Sequence, residues 1–102
     1  MAREVIWTQS AIDSLVEAAE YIAKDSPSYG SALTLSAEAA AESLLEFPNR
    51  GRVVPEFREP KIRELIIGSY RLIYSVAETF ITIIAFIHGA RDLSAIIERG
   101  EL

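Results

Sequence analysis

The sequence predicts an α+β domain. It reads as an N-terminal strand, then an antiparallel helical hairpin packed on one face of a mainly antiparallel sheet of about four strands, then a short C-terminal helical turn or tail. Three observations predict this. Apolar residues recur at helical spacing in two stretches between residues 11 and 47, change to period-two and then continuous apolar patterns between 62 and 87, and are divided by the turn-forming Phe47-Pro48-Asn49-Arg50-Gly51. At 102 residues, half of them hydrophobic and a quarter charged, the chain fits one domain spanning 1–102.

The elements follow in order. Val5 and Trp7 alternate with Glu4 and Ile6 as a short strand that breaks at Thr8. Thr8 or Ser10 can cap a helix, and Asp13, three residues after Ser10, offers a capping-box-like start. Ala11, Leu15, Ala18, Ala19 and Ile22 then form an apolar stripe, with Asp13, Glu17, Glu20 and Lys24 mainly on other faces. Asp25-Ser26-Pro27 stops this helix and starts a second, Ser26 as cap and Pro27 at the first helical position. The expected buried face of the second helix is Tyr29, Ala32, Leu33, Ser36, Ala40, Ser43, Leu44 and Phe47. Its alanines and serines allow close approach to the first helix.

Phe47-Pro48 ends the hairpin, because a residue before proline disfavours the helical region, and Gly51 permits a turn. Residues 48–60 form a connection of the length at which loops tend to carry function. Three strands are expected at Ile62 to Ile67, Tyr70 to Val76 and Thr79 to Ile87, with Gly68-Ser69 and Ala77-Glu78 as hairpin turns. The last should be central, since a continuous apolar run requires both faces covered. Asp92 to Ile97 reads as a short capped helical turn or a tail. Two helices cover one sheet face, so the other is expected to be partly open and to be where a site or partner sits.

Composition narrows the function. With no cysteine, disulfide frameworks, thiolate zinc sites and cysteine nucleophiles are excluded, and the chain suits a reducing compartment, so a cytoplasmic location is expected. The N-terminus carries charges where a signal peptide needs an apolar core, and the run Ile83 to Ile87 is too short to span a bilayer. No membrane association is expected. The net charge of −5 argues against nonspecific nucleic-acid binding. That charge is uneven: residues 1–46 carry −6, whereas 48–75 carry +3, and eight of the ten basic side chains are arginine, whose fork suits carboxylate or phosphate.

Candidate chemistry is sparse. His88 is the one side chain that exchanges protons near neutral pH without a shifted pKa; it reads either as a general base or contact at the strand end, or as a hydrogen-bonding group at the rim. With one histidine and no thiol, neither a metal site nor a cofactor is expected. Arg71, inside a strand, needs solvent, an acid such as Glu64 or Asp92, or an anionic ligand. Arg63 and Glu64 project to opposite faces, so one of the two shares the face of Arg71. Tyr70, Tyr74, Phe80 and Phe86, at period-two spacing, fit core packing better than base stacking. Glycine-rich phosphate loops, serine triad motifs and dinucleotide fingerprints are absent.

Six segments, in order, carry a resemblance: Ala11-Ile12-Asp13-Ser14-Leu15, Tyr21-Ile22-Ala23, Phe47-Pro48-Asn49-Arg50-Gly51-Arg52, Arg63-Glu64-Leu65, Gly68-Ser69-Tyr70-Arg71-Leu72-Ile73-Tyr74 and His88-Gly89-Ala90-Arg91-Asp92-Leu93. Over nearly the whole chain they resemble the RelE/ParE superfamily of bacterial type II toxins. The resemblance implies a toxin neutralised by a cognate antitoxin, ParD-like or RelB-like, and leaves a heterotetramer or larger complex open. It also implies one of two activities. RelE-like members are ribosome-dependent mRNA endoribonucleases; Arg71 and Arg91 match basic positions of that set, and His88 would join them. Ile97 stands where the nuclease tyrosine would be, and Glu64 near a position that is basic there. ParE-like members act on DNA gyrase without cutting RNA and carry an ending similar to Ile87-His88-Gly89-Ala90-Arg91-Asp92. The ParE-like reading is therefore preferred, with no catalytic residues and with Arg63, Arg71, Tyr74, His88 and Arg91 as candidate contacts to target or antitoxin. A toxin that retains only antitoxin binding is the third reading.

Overall fold

In a computed structural model that describes residues 3–91, 93 and 94, the order is β1 (Glu4–Trp7), α1 (Gln9–Ala23), α2 (Pro27–Ser43), β2 (Arg52–Val53), β3 (Ile62–Ile67), β4 (Tyr70–Val76) and β5 (Phe80–His88). The five strands form one sheet in the order β1-β5-β4-β3-β2. β2 to β5 are antiparallel to their neighbours, and β1 joins β5 in parallel, Val5 opposite Ile81 and Trp7 opposite Ile83. The sheet has five strands rather than about four because Arg52–Val53, inside the expected 48–60 connection, pairs with Arg63 and Glu64. Two residues are too few to show a period.

Each helix start has a local cause. Thr8 is the cap of α1: its hydroxyl accepts from the Ala11 amide at 3.1 Å and donates to the Ile84 carbonyl at 3.1 Å, which ties the helix to β5. Ser10 is not the cap, and Asp13 accepts from the Gln9 side chain at 2.8 Å instead of closing a box. Ser26 caps α2, with Pro27 in its first turn. α1 buries Ala11, Leu15 and Ala18 as its spacing requires.

The expected face of α2 holds in part: Leu44 is buried and Leu33 and Ala40 pack against the core, but the buried stripe also takes in Gly30, Ala37 and Ala41, while Tyr29 and Phe47 are exposed. Bulk is excluded because the helices meet closely: a Cβ on Gly30 would stand 2.6 Å from the Ala19 carbonyl oxygen and 2.9 Å from Ala23 Cβ. Small residues, not the largest ones, mark this contact.

Alternation along the strands sends Leu72, Tyr74, Ile81, Ile83 and Phe86 to the helices, where they form the main core with Leu15 and Leu44. A register shift at Ile73/Tyr74 against β5 accommodates an extra residue there. On the other face Ile73, Ala85 and Ile87 are buried under Val54, Phe57 and Leu93. That face is thus covered over β4 by the segment after β2, and the expected openness remains at β1, the start of β5 and the end of β3, where Ile6, Phe80 and Ile66 are exposed. Of the expected C-terminal turn, only Leu93 and Ser94 are described; Asp92 and Ile97 lie outside the described residues.

Candidate functional site

The charged centre of the molecule lies on the face away from the helices. Glu64 on β3 and Arg71 on β4 are diagonal neighbours there, since Glu64 is opposite Ile73 and Arg71 is opposite Ile66. Arg71 Nε donates to Glu64 Oε1 at 2.5 Å, and its two terminal nitrogens donate to the two carboxylate oxygens of Glu56 at 3.1 and 3.0 Å. The other Glu64 oxygen accepts from Arg52 Nε. The Glu64 side chain is fully buried and that of Arg71 is 9 % exposed. Such a buried charge persists only when paired and hydrogen-bonded. The four side chains therefore form a chain of alternating sign: Arg52, Glu64, Arg71, Glu56.

Glu56 also fixes the segment that covers this face. It sits between Pro55 and Glu59-Pro60, and Arg58 adopts a left-handed backbone with φ 53°. The bidentate grip of Arg71 on Glu56 holds that segment down, with Val54 and Phe57 packed on the sheet beside it. The hydrogen bonds from Arg71 hold the Glu56 carboxyl below its ordinary range, against burial, which raises it. Reciprocally, Glu56 raises the Arg71 guanidinium above its ordinary value, opposed by burial and helped by Glu64.

The sign of the pH dependence follows. A carboxyl with a lowered folded pKa binds fewer protons folded than unfolded, so its contribution is complete above the unfolded value, about 4.3. It is lost as pH falls through the folded value. Glu56→Gln is expected to flatten the loss of stability between about pH 5 and pH 3, measured as urea midpoints across that range. An unchanged slope would deny the Glu56–Arg71 pair this role.

The other candidate residues are not assembled around Arg71. Arg63 and Tyr74 are opposite one another across β3 and β4 on the helix-side face. Tyr74 is fully buried; its hydroxyl donates to the Pro48 carbonyl at 2.8 Å and accepts from the Gly51 amide at 3.0 Å. Burial pushes its phenol pKa up, opposed by the Gly51 hydrogen bond. His88 is opposite Tyr70, whereas Arg71 is opposite Ile87, so His88 and Arg71 project to opposite faces. The His88 ring meets the Tyr70 ring edge-on at 5.4 Å, and its Nδ1 accepts from the Ala90 amide at 3.2 Å. That is the rim hydrogen-bonding arrangement. Arg91 is exposed just beyond, its amide donating to the His88 carbonyl at 3.0 Å.

Sequence reasoning considered Glu64 as a partner of Arg71 but did not find Glu56 or Arg52. The opposite parity of Arg63 and Glu64 was the signal for Glu64; Glu56 lies in a stretch without periodicity. Among the described residues no group of three or more His, Cys, Asp or Glu side chains could hold a metal. No described helix is long and apolar enough to cross a membrane. A second feature is an apolar groove of about 270 Å³ between β1 and the helices, formed by Trp7, Ile12, Leu15, Val16, Thr34 and Glu38.

Comparison with known proteins bears on the family and the fold. The chain is 34% identical over 89 residues to Toxin RelE2 of Caulobacter vibrioides (strain ATCC 19089 / CIP 103742 / CB 15), covering 86% of this chain and 97% of that protein. The fold matches a solved structure described as the chromosomal ParDE TA system from P. aeruginosa, with a TM-score of 0.69 and 18% identity, over 85% of this chain and 96% of that one. The family model for the ParE toxin of the type II toxin-antitoxin system, parDE, matches residues 5–93. The strand, helical hairpin and antiparallel strands that position Arg71, Tyr74 and His88 are thus those of a ParE-type toxin, and the chain belongs to the ParE toxin family of type II toxin-antitoxin systems.

Proposed function

We propose that this chain is a cytoplasmic toxin that arrests growth by binding DNA gyrase, without nuclease chemistry of its own, and is neutralised by a cognate antitoxin. The observation that carries the reading is the occupation of Arg71. Cleavage of RNA by attack of a 2′-hydroxyl needs cationic donors free to meet the developing phosphate charge. Here the strand arginine is engaged by Glu64 and Glu56, and the lone histidine projects to the opposite face. An arginine neutralised by two buried or half-buried carboxylates supports a binding role rather than a phosphoryl one.

The antitoxin reading is supported by the surface around the helices. Ile12, Val16 and Leu35 are exposed along the hairpin beside the Trp7 groove, and β1 leaves one sheet edge unpaired. An antitoxin segment covers such a surface by a helix in the groove or by strand addition at the edge.

The test is direct. Purified chain is expected to inhibit supercoiling by gyrase and to accumulate cleaved DNA, while leaving mRNA intact in a translation assay. Cut mRNA with unimpaired supercoiling would replace this reading by ribosome-dependent endoribonuclease activity. If neither assay responds and expression in the native host does not slow growth, the chain retains antitoxin binding alone.

A further inference from the structure

A second basic region lies on the other side of the sheet from Arg71. Arg3 before β1, Lys61 before β3 and Arg63 within β3 line one cleft of about 390 Å³ with Asn49, Ala77 and Glu78. None of the three cations has an ion-pair partner among the described residues. Both arginines are instead pinned by backbone carbonyls. Arg3 Nε donates to the Ala77 carbonyl at 2.9 Å. Arg63 Nη1 donates to the carbonyls of Gly51 at 2.9 Å and Asn49 at 3.3 Å. Each guanidinium is thereby held in place while keeping its full charge.

A separate observation concerns Arg63 Nε. It is a buried side-chain donor with no hydrogen-bond partner among the described residues. A buried unpartnered donor costs about 1–3 kcal/mol, and an acceptor entering beside it relieves that cost. Whereas two acids satisfy the Arg71 guanidinium, Arg63 has backbone carbonyls as its only partners among the described residues.

We infer that this cleft binds a phosphomonoester. Three cations and Glu78 leave a surplus of two positive charges. A phosphomonoester carries roughly −1.5 to −2 at pH 7, which matches that surplus, whereas a single carboxylate does not. Arginine forks suit its tetrahedral face, and the cleft has the size of a small-molecule site rather than of a bare ion site. The phosphoryl group has two sources: a free mononucleotide or the 5′ end of a nucleic acid strand.

Calorimetric titration of the purified chain at low salt distinguishes them. Adenosine 5′-monophosphate is expected to bind and adenosine not to; a 5′-phosphorylated oligonucleotide that binds where its 5′-hydroxyl counterpart does not would place the ligand at a strand end. Arg63 also holds the 49–51 segment, so the informative variants are at the rim. Lys61→Gln is expected to weaken binding by about tenfold, and Glu78→Gln to strengthen it by a few fold, a gain that a folding defect would not produce. Equal binding of adenosine, no binding at millimolar nucleotide, or affinities unmoved by both rim variants would each overturn the assignment.

Discussion

Glu64→Ala is expected to lower the free energy of unfolding by about 2–3 kcal/mol, because it leaves the buried Arg71 Nε unpaired while Glu56 still holds the two terminal nitrogens. The magnitude is not discounted for solvent, since the Glu64 side chain is 0 % and the Arg71 side chain 9 % exposed. Arg52 contributes little to the loss; its side chain is 64 % exposed and simply rehydrates. The measurement is urea denaturation near pH 7, where a shift in midpoint without a change in slope isolates stability.

The same substitution separates the worth of the pair from the cost of breaking it. Glu64→Met combined with Arg71→Met replaces both charges by apolar groups of similar length, facing Ile73, Ala85 and Ile87. Buried ion pairs exchanged in this way are often neutral, so the double variant is expected to regain most of what Glu64→Ala loses. It also removes the grip on Glu56, and residues 55–60 should become more accessible to protease while the sheet stays folded. A cost below about 1 kcal/mol for Glu64→Ala would mean that Arg71 reaches water on its own, and the alternating chain would then be a surface feature.

Where periodicity carried the signal, the fold was legible. β3 and β4 begin and end where alternation does, and the Gly68-Ser69 turn between them has Gly68 at φ +60°, a conformation that favours glycine. β5 reads as central because its apolar run needs cover on both faces, and it lies between β1 and β4. The parallel partnership of β1 with β5 was not legible, since Val5 and Ile81 meet only after the helical hairpin and three strands have been placed. Nor was the whole buried stripe of α2, because hydrophobicity favours Tyr29 and Phe47 while the closest contact requires Gly30 and Ala37. The site divides in the same way. Parity limits the partner on the face of Arg71 to Arg63 or Glu64 and the β3–β4 register selects Glu64, but Glu56 reaches Arg71 across 15 residues of chain with no repeating pattern to announce it. His88 carried two readings, and its ring packing on Tyr70 and the Ala90 amide at its Nδ1 could not be read from the sequence.

Gly51→Ala is the second large effect, expected to cost about 3 kcal/mol. The sequence suggests that Gly51 serves a turn, yet its backbone is one that any residue adopts; the constraint is space. A Cβ there would stand 2.5 Å from the Glu64 carbonyl oxygen, 2.7 Å from the Tyr74 hydroxyl and 3.0 Å from Tyr74 Cε1. The first contact is with sheet backbone and cannot be relieved by a rotamer, so the 48–52 segment must move. Movement breaks the bonds from the Gly51 amide to Tyr74 and from Tyr74 to Pro48, which are what dock the end of the helical hairpin on β4. Tyr74→Phe alone is expected to cost about 1–3 kcal/mol by leaving those two backbone groups unpaired. The two substitutions share a partner, so they should not add: with the hydroxyl gone, the alanine meets one obstacle fewer, and the double variant is expected to be more stable than the sum by about 1 kcal/mol. It should still fall short of the parent, because the Glu64 carbonyl remains in the way. Urea denaturation of the four proteins decides it; strict additivity would show that Gly51 and Tyr74 act independently and that the hydroxyl is not what Gly51 makes room for.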